Sequence, residues 1–213
     1  MVIAFVNTKG GVGKSTLAGN MAVYLHDQGK SVAFVDADHH VSSSVWMGEV
    51  EPKLPIWAST DPNAILDRVP TLASEFEIVV IDGPGSLDEV TRTIALVADK
   101  LVIPCVPGMF DARATQTFVT VLNRLRDIRG GRPSILLVKN KVQTNTHLSS
   151  DLREAATTMG VPIANTEIHL RQVHSDVVTQ GTVASRFVKL SKAPAARAAA
   201  EELVQLFGEV CNG

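Results

Sequence analysis

The residues best suited to chemistry form the run Lys9-Gly10-Gly11-Val12-Gly13-Lys14-Ser15-Thr16. Its glycines let the backbone turn N–H groups inward and approach an anion closely. The second half of the run matches the end of the phosphate-binding pattern G-x-x-x-x-G-K-[ST]. In that pattern the lysine, here Lys14, reaches the terminal phosphates of a nucleotide, and the Ser15 hydroxyl coordinates Mg²⁺. The run predicts a nucleotide site, and it holds one lysine more than phosphate binding needs.

The segments on either side of this run position it. Residues 2–6 are a short apolar, β-rich stretch that predicts a buried parallel strand. Residues 17–25 carry apolar side chains at helical spacing. The loop would therefore lead into a helix N-terminus, where unpaired N–H groups and the helix dipole favour anions. A plain glycine-rich turn is the alternative, and the strand–loop–helix context favours the phosphate site over it.

The loop resembles that of the ParA/MinD family of P-loop ATPases, which reads K-G-G-x-G-K-[ST]. The resemblance implies that the additional lysine, Lys9, crosses the interface of an ATP-bound sandwich dimer and contacts the phosphates held by the partner subunit. Without the resemblance, Lys9 would be interpreted as a solvated loop lysine. The same resemblance implies ATP and Mg²⁺ as cofactors.

A second predicted strand, residues 31–35, leads into Asp36-Ala37-Asp38. The family usually has D-x-D-P-Q at this place, so Asp36 and Asp38 match its acids and are the catalytic candidates together with Lys9. The resemblance implies that Asp38 orients the attacking water. His39 and His40 replace the usual Pro-Gln pair, which leaves the conformation of this switch loop open.

A third strand, residues 76–82, ends in Asp82, which resembles the Walker B aspartate that holds Mg²⁺ through water. Gly83-Pro84-Gly85 follows as a turn able to sense the γ-phosphate. A single aspartate at a strand end is commonly a turn former. Two such strand ends downstream of a P-loop favour a ligand site, because ligands of open α/β sheets bind at the carboxyl ends of the strands.

Strand-like and helix-like segments alternate along the rest of the 213 residues, with further strands predicted at 100–104 and 134–138. We expect an α/β fold with a doubly wound, mostly parallel sheet flanked by helices, forming a single ATPase domain over residues 1–213. The chain starts directly on the first strand, so no additional N-terminal DNA-reading module is expected. By the resemblance, Asn140 lies beside the adenine; a polar loop start is the alternative.

Composition and the C-terminus argue against a membrane protein. No apolar run approaches the ~18 residues of a membrane span, and Cys105 and Cys211 are too far apart for a C-x-x-C motif, which fits a reduced cytoplasm. MinD-like relatives end in a basic amphipathic segment, whereas the last helix here is acidic. Its apolar residues Leu203, Leu206, Phe207 and Val210 are interpreted as a core-facing stripe.

Basic residues are unevenly distributed in this chain, whose formal net charge is −2. Residues 124–141 hold six basic side chains against one acid, and residues 169–197 hold five against one. A basic face could follow DNA phosphates, although charge runs are commonly solvated helix faces. ParA members bind DNA without sequence preference through C-terminal basic residues, and by this resemblance we select Arg197, with Arg171, Arg186 and Lys189 as further candidates.

These features predict a cytoplasmic, nucleoid-associated ATPase of the small ParA type. The resemblance implies that ATP closes a homodimer, that the dimer binds non-specific DNA, and that a cargo-bound activator protein stimulates slow hydrolysis. The cargo would be a plasmid, a chromosome region or a protein assembly. Two alternatives stay open: a MinD-like membrane-associated regulator, and a metabolic ATP-dependent ligase on the same scaffold.

Overall fold

The computed structural model describes residues 1–107, 112–143, 148–191 and 193–212. Within them lies a seven-stranded sheet in the order β3-β2-β4-β1-β5-β6-β7, in which every pairing is parallel. The strands are β1 (Val2–Phe5), β2 (Val32–Asp36), β3 (Ile56–Ala58), β4 (Ile78–Asp82), β5 (Lys100–Cys105), β6 (Ser134–Val142) and β7 (Ile168–His169). The predicted α/β class and doubly wound sheet are confirmed.

Helices cover both faces of the sheet. One face packs against α1 (Lys14–Asp27), α2 (Ser42–Val50) and α9 (Pro194–Asn212). The other packs against α3 (Pro62–Glu75), α4 (Glu89–Val97), α5 (Ala112–Ile128) and α6 (Leu148–Met159). Two short helices, α7 (Val173–Thr179) and α8 (Ala184–Leu190), connect β7 to α9.

The central strand β1 contributes to both cores. Ile3 and Phe5 pack on the α1 side, while Val2 and Ala4 pack on the opposite side, and all four are buried. This follows from the two-residue period of a strand, and burial on both faces explains why such strands consist of continuous apolar residues. A one-residue slip would exchange the two sets of side chains, so the register that carries the glycine-rich loop is strongly fixed.

The strand ends gather polar side chains at one edge of the sheet. Asp36 ends β2 and Asp82 ends β4, and the two residues lie side by side in the register of these adjacent strands. β6 continues to Val142 rather than ending at residue 138, so Lys139, Asn140 and Lys141 lie within the strand. The edge that receives the glycine-rich loop therefore also receives the polar end of β6.

The last helix is anchored in the core. Leu203, Leu206, Phe207 and Val210 are each at most 2% exposed, which confirms the interpretation of this stripe as core-facing. The buried Lys100 donates a hydrogen bond from Nζ to the Val210 carbonyl at 2.7 Å and so satisfies one of the carbonyls left unpaired at a helix C-terminus. No helix in the described part of the chain combines the length and hydrophobicity needed to cross a membrane.

Candidate nucleotide-binding site

The glycine-rich loop between β1 and α1 takes a conformation that only glycine adopts easily. Gly11 and Gly13 have φ of 72° and 94°, in the left-handed region that disfavours side chains. A Cβ on Gly13 would lie 2.2 Å from Nδ2 of Asn140. The Gly13 carbonyl accepts the hydrogen bond of Leu17 N at 3.0 Å and so opens α1. The loop thus ends where a helix N-terminus begins, as predicted.

Lys14 lies inside the site and is only 6% exposed. Its Nζ donates to the Lys9 carbonyl at 3.3 Å. Burial lowers the pKa of Lys14, and the carboxylates of Asp82 and Asp38 oppose that decrease. The structure therefore brings together the phosphate-contacting lysine and two of the predicted acids.

A cavity of about 660 Å³ lies above the loop. It is wide enough for the phosphates of a nucleotide and is formed by the glycine-rich loop, the switch loop after β2, the turn after β4 and the end of β6. The lining residues are Gly10, Gly11, Gly13, Lys14, Ser15, Thr16, Asp38, His39, His40, Ser42, Pro84, Gly85, Ser86 and Lys141.

Asp82 is fully buried, and neither of its carboxylate oxygens has a hydrogen-bond partner among the described residues. Burial raises its pKa to about 7, and the neighbouring Asp36 adds to the increase. The charge of Lys14 opposes it, as do the nearby hydroxyls of Ser15 and Ser43, although neither hydroxyl forms a hydrogen bond of normal geometry with the carboxylate. An unpaired carboxylate beside a serine hydroxyl offers the oxygen ligands that Mg²⁺ prefers. The residues present therefore fit a magnesium ion held at Ser15 and Asp82.

Asp36 shapes the switch loop. It is 1% exposed, and its carboxylate accepts hydrogen bonds from the backbone N–H groups of Asp38 at 3.1 Å and Ser44 at 2.7 Å. Asp38 lines the cavity, and its carboxylate accepts the N–H of His40 at 3.0 Å. Asp36 thus holds the loop in place, while Asp38 is the acid that faces the cavity.

The switch loop contains strain that the sequence did not reveal. Val41, the residue before α2, has φ of 50°. For a β-branched residue this left-handed conformation is unfavourable and persists only where surrounding contacts impose it. Ser43, in the first turn of α2, is also buried with its hydroxyl unpaired. Neither residue was predicted, because both effects depend on the path of the loop.

The turn after β4 packs directly on the glycine-rich loop. Gly83 N donates to the Phe5 carbonyl at 2.9 Å, and a Cβ on Gly83 would lie 2.8 Å from the side chain of Val6. A Cβ on Gly85 would lie 3.5 Å from Nζ of Lys14. The turn predicted to sense the γ-phosphate therefore lies against the end of β1 and close to Lys14.

The polar end of β6 supports the loop from its other side. Asn140 donates from Nδ2 to the Val12 carbonyl at 2.7 Å, and Lys141 donates from Nζ to the Gly11 carbonyl at 2.6 Å. A smaller cavity of about 110 Å³ next to the loop is bordered by Asn140, Lys141, Arg171 and His174. The adenine contact assigned to Asn140 stays a prediction. Lys141 was not selected from the sequence, although its place beside Asn140 was a signal.

Lys9 is half-buried at the start of the loop. Its backbone N–H donates to Oδ1 of Asn7 at 3.0 Å, and the Asn7 amide donates to the Pro104 carbonyl at 2.7 Å. These bonds fasten the loop to the sheet. The role of the Lys9 side chain at an interface with a second subunit stays a prediction.

Two of the predicted DNA-binding residues are engaged within the chain. Arg186 forms ion pairs with Asp27 and Glu51, both at 2.6 Å, and donates to the Val50 carbonyl at 2.9 Å. Arg171 pairs with Glu202 at 2.5 Å. These contacts hold the guanidinium groups against the protein, so both are weaker candidates for binding phosphates.

The other two predicted DNA-binding residues face solvent. Lys189 is exposed, and the Arg197 side chain is 79% exposed, with a 3.8 Å contact to Glu201, whose side chain is 66% exposed. The basic count of residues 124–141 overstates the charged surface, because Lys139 is fully buried and paired with Glu167. Lys192, counted in the second basic stretch, lies outside the described residues.

Comparison with known proteins now decides the family. Residues 3–182 match the model of the CobQ/CobB/MinD/ParA nucleotide-binding domain. The chain belongs to this family. It is a ParA/MinD-type ATPase, and the resemblance of its glycine-rich loop to that of ParA and MinD is confirmed.

Relatives of known name cover nearly all of the chain. The maintenance of carboxysome distribution protein A of Halothiobacillus neapolitanus is 28% identical over 218 residues, which are 98% of this chain and 95% of that protein. An ATP complex of McdA from Cyanothece has a TM-score of 0.72 at 16% identity and covers 95% of each chain. Cobyrinic acid a,c-diamide synthase of Mycobacterium smegmatis, with an ATP analogue and magnesium, has a TM-score of 0.70 at 21% identity over 100% of this chain and 96% of that one. Both solved structures have the same fold as this chain.

Proposed function

We propose that this ParA/MinD-type ATPase, a single domain of residues 1–213, positions or segregates a cargo by forming an ATP-dependent dimer that binds non-specific DNA. The carrying observation is that Lys14 and Asp38 line one cavity, with the buried Asp82 close enough to act on the charge of Lys14. The name of the carboxysome-distribution relative favours a protein assembly as the cargo, with a plasmid or chromosome region as the other possibilities. A protein bound to the cargo would act as the activator.

Each residue has a defined task in slow ATP hydrolysis. The loop N–H groups and Lys14 bind the phosphates, and Lys9 adds positive charge from the opposite subunit. Mg²⁺, held at Ser15 and Asp82, would neutralise charge on the phosphates. Asp38 orients the water, but a carboxylate is a weak general base at neutral pH. Slow turnover in the absence of an activator follows.

The path of α2 supports coupling between the nucleotide and the C-terminal helices. Its first turn is held by Asp36 through Ser44 N. Farther along, Trp46 donates from Nε1 to the Thr182 carbonyl at 3.3 Å, and Arg186 of α8 binds the carbonyl of Val50. A shift of the switch loop on ATP binding would therefore displace the helix that contacts α8, which carries Lys189.

The observations favour this proposal over the membrane-associated alternative. The apolar stripe of α9 is used in the core and, among its large apolar residues, Val204 is exposed, so the helix has no continuous apolar face left to insert into a bilayer interface. The metabolic-ligase alternative predicts ATP consumption that depends on a small acceptor molecule and not on dimer formation.

The experiment that tests the proposal measures the mass of the protein by light scattering with Mg²⁺-ADP and with Mg²⁺-ATP. We expect a dimer with ATP and a monomer with ADP for the wild type, a persistent ATP dimer for Asp38→Ala, and a monomer in both nucleotides for Lys9→Ala. A wild type that binds ATP and remains a monomer at all concentrations would overturn the sandwich-dimer proposal.

A further inference from the structure

Two side chains at the end of β6 donate hydrogen bonds to two consecutive peptide units of the glycine-rich loop. Nζ of Lys141 binds the Gly11 carbonyl and Nδ2 of Asn140 binds the Val12 carbonyl, at 2.6 Å and 2.7 Å. Both donors come from neighbouring residues of one strand, and both acceptors are main-chain oxygens. These hydrogen bonds therefore fix the orientation of the loop backbone, and they do not depend on which side chain position 12 carries.

Fixing these carbonyls also fixes the N–H groups that bind phosphate. In a planar trans peptide the C=O and N–H of one unit point in opposite directions. Because the Gly11 carbonyl points toward Lys141, the N–H of Val12 in the same peptide unit must point away from β6. The Val12 carbonyl points toward Asn140, so the N–H of Gly13 also points away from β6. Consecutive N–H groups turned the same way form an anion-binding concavity.

The backbone of Lys141 has an uncommon conformation at this contact. Its φ is 55°, and the pairing of β6 with β7 shifts register between Asn140 and Val142. The left-handed conformation costs free energy for a lysine. Such conformations persist where the surrounding structure imposes them. A lysine that only extended into solvent would not need this backbone conformation.

We infer that Lys141 is a positioning residue that preorganises the phosphate-binding N–H groups of Val12 and Gly13 by holding the Gly11 carbonyl. The inference rests on the proposed nucleotide site and deepens it. Preorganisation raises affinity by removing the ordering that the loop would otherwise undergo on binding. Because the held N–H groups belong to the part of the loop that cradles the inner phosphates, diphosphate and triphosphate binding should depend on Lys141 to the same degree.

The test compares Lys141→Met, Lys141→Arg and the control Lys53→Met, which removes the charge of an exposed lysine far from the loop in sequence. Affinities for Mg²⁺-ADP and for a Mg²⁺-bound non-hydrolysable ATP analogue are measured by calorimetry, together with Tm. We expect Lys141→Met to weaken both nucleotides about tenfold, the size expected for one lost charge-assisted hydrogen bond. Lys141→Arg should recover most of the affinity, and Lys53→Met should bind like the wild type. Tm without nucleotide should change little in all three.

Four results would overturn the inference. They are unchanged affinity in Lys141→Met, loss confined to the triphosphate analogue, equal loss in the Met and Arg variants, or affinity loss accompanied by a fall in Tm of more than about 5 °C, which would indicate a general loss of structure. The second result would instead assign Lys141 to direct γ-phosphate contact. A wild type that binds neither nucleotide would contradict the proposed nucleotide site itself, so the two failures are distinguishable.

Discussion

The nucleotide edge of the sheet and the C-terminal helical layer use charge in different ways. At the nucleotide edge, the buried Lys14 lines the cavity, and the buried carboxylate of Asp82 near it has no hydrogen-bond partner among the described residues. In the C-terminal layer, Arg171 and Arg186 are paired with acids of the same chain. An unpaired buried carboxylate at the first region indicates a ligand, whereas paired charges at the second indicate internal support.

This difference shows what charge counting can and cannot reveal. A basic stretch in sequence gives the number of cations but not their partners, because those partners come from distant elements: Asp27 and Glu51 reach Arg186 from α1 and α2. At the nucleotide edge the loop backbone itself is the binding group, and its glycines are visible in the sequence.

A pair of glycine substitutions gives the largest expected contrast between the two regions. Gly13→Ala should abolish measurable nucleotide binding, a loss of at least ~100-fold, because Gly13 has φ of 94° and its new Cβ would collide with Asn140. Gly208→Ala, within α9 and with open space around its Cβ, should instead stabilise the protein by about 0.5–1 kcal/mol. Calorimetric affinity and urea unfolding measure the two effects. Nucleotide binding by Gly13→Ala at wild-type strength would contradict the loop geometry.

Arg186→Met separates internal support from DNA binding in the C-terminal layer. We expect a loss of about 1–3 kcal/mol in the free energy of unfolding, because Asp27, Glu51 and the Val50 carbonyl lose their shared donor. Lys189→Met, its exposed neighbour on α8, should change stability by less than about 0.5 kcal/mol. Denaturant unfolding of both variants is the measurement. Equal stability of the two would show that the Arg186 ion pairs contribute nothing.

Asp82→Asn tests the unpaired charge at the nucleotide edge. The pKa of Asp82 is raised from 3.8 to about 7. Between these pH values the folded protein keeps a proton on Asp82 that the unfolded chain releases. The free energy of unfolding therefore falls as the pH rises from about 4 to about 7. Without Mg²⁺, Asp82→Asn should be more stable than wild type by about 4 kcal/mol at pH 8 and equally stable near pH 4. It should also lose the Mg²⁺ dependence of nucleotide binding.

Unfolding at both pH values, with and without Mg²⁺, measures this prediction. A stability gain in Asp82→Asn that is the same at pH 4 and pH 8 would show that ionisation of Asp82 is not the cause.

The double variant Lys189→Ala/Arg197→Ala has the smallest expected effect on the folded protein. Both side chains are exposed, so stability should change by less than about 1 kcal/mol. Affinity for random-sequence DNA should fall severalfold for all sequences alike, with a shallower salt dependence, because fewer phosphate counterions are released. Fluorescence anisotropy across a salt series measures this effect. An unaltered salt slope would remove both residues from the DNA-binding surface.

The sequence predicted the nucleotide edge well because its determinants are local. Glycines at positions 11 and 13, a following helix and the strand-end Asp82 were sufficient to predict how the loop, the helix and this strand end meet. It missed Lys141, Ser43 and the strain at Val41, since these depend on how β6 and α2 approach the loop. It also overstated the basic surface, because the sheet buries Lys139 and ion pairs engage Arg186.

The central claim is that ATP occupancy controls a DNA-binding dimer, and its most direct test is retention of the wild type on random-sequence DNA with Mg²⁺-ATP and with Mg²⁺-ADP over increasing salt. The account predicts salt-sensitive retention with ATP, none with ADP, and none with either nucleotide for Lys9→Ala. Equal retention with both nucleotides, or no retention of an ATP-bound wild type at low salt, would contradict it.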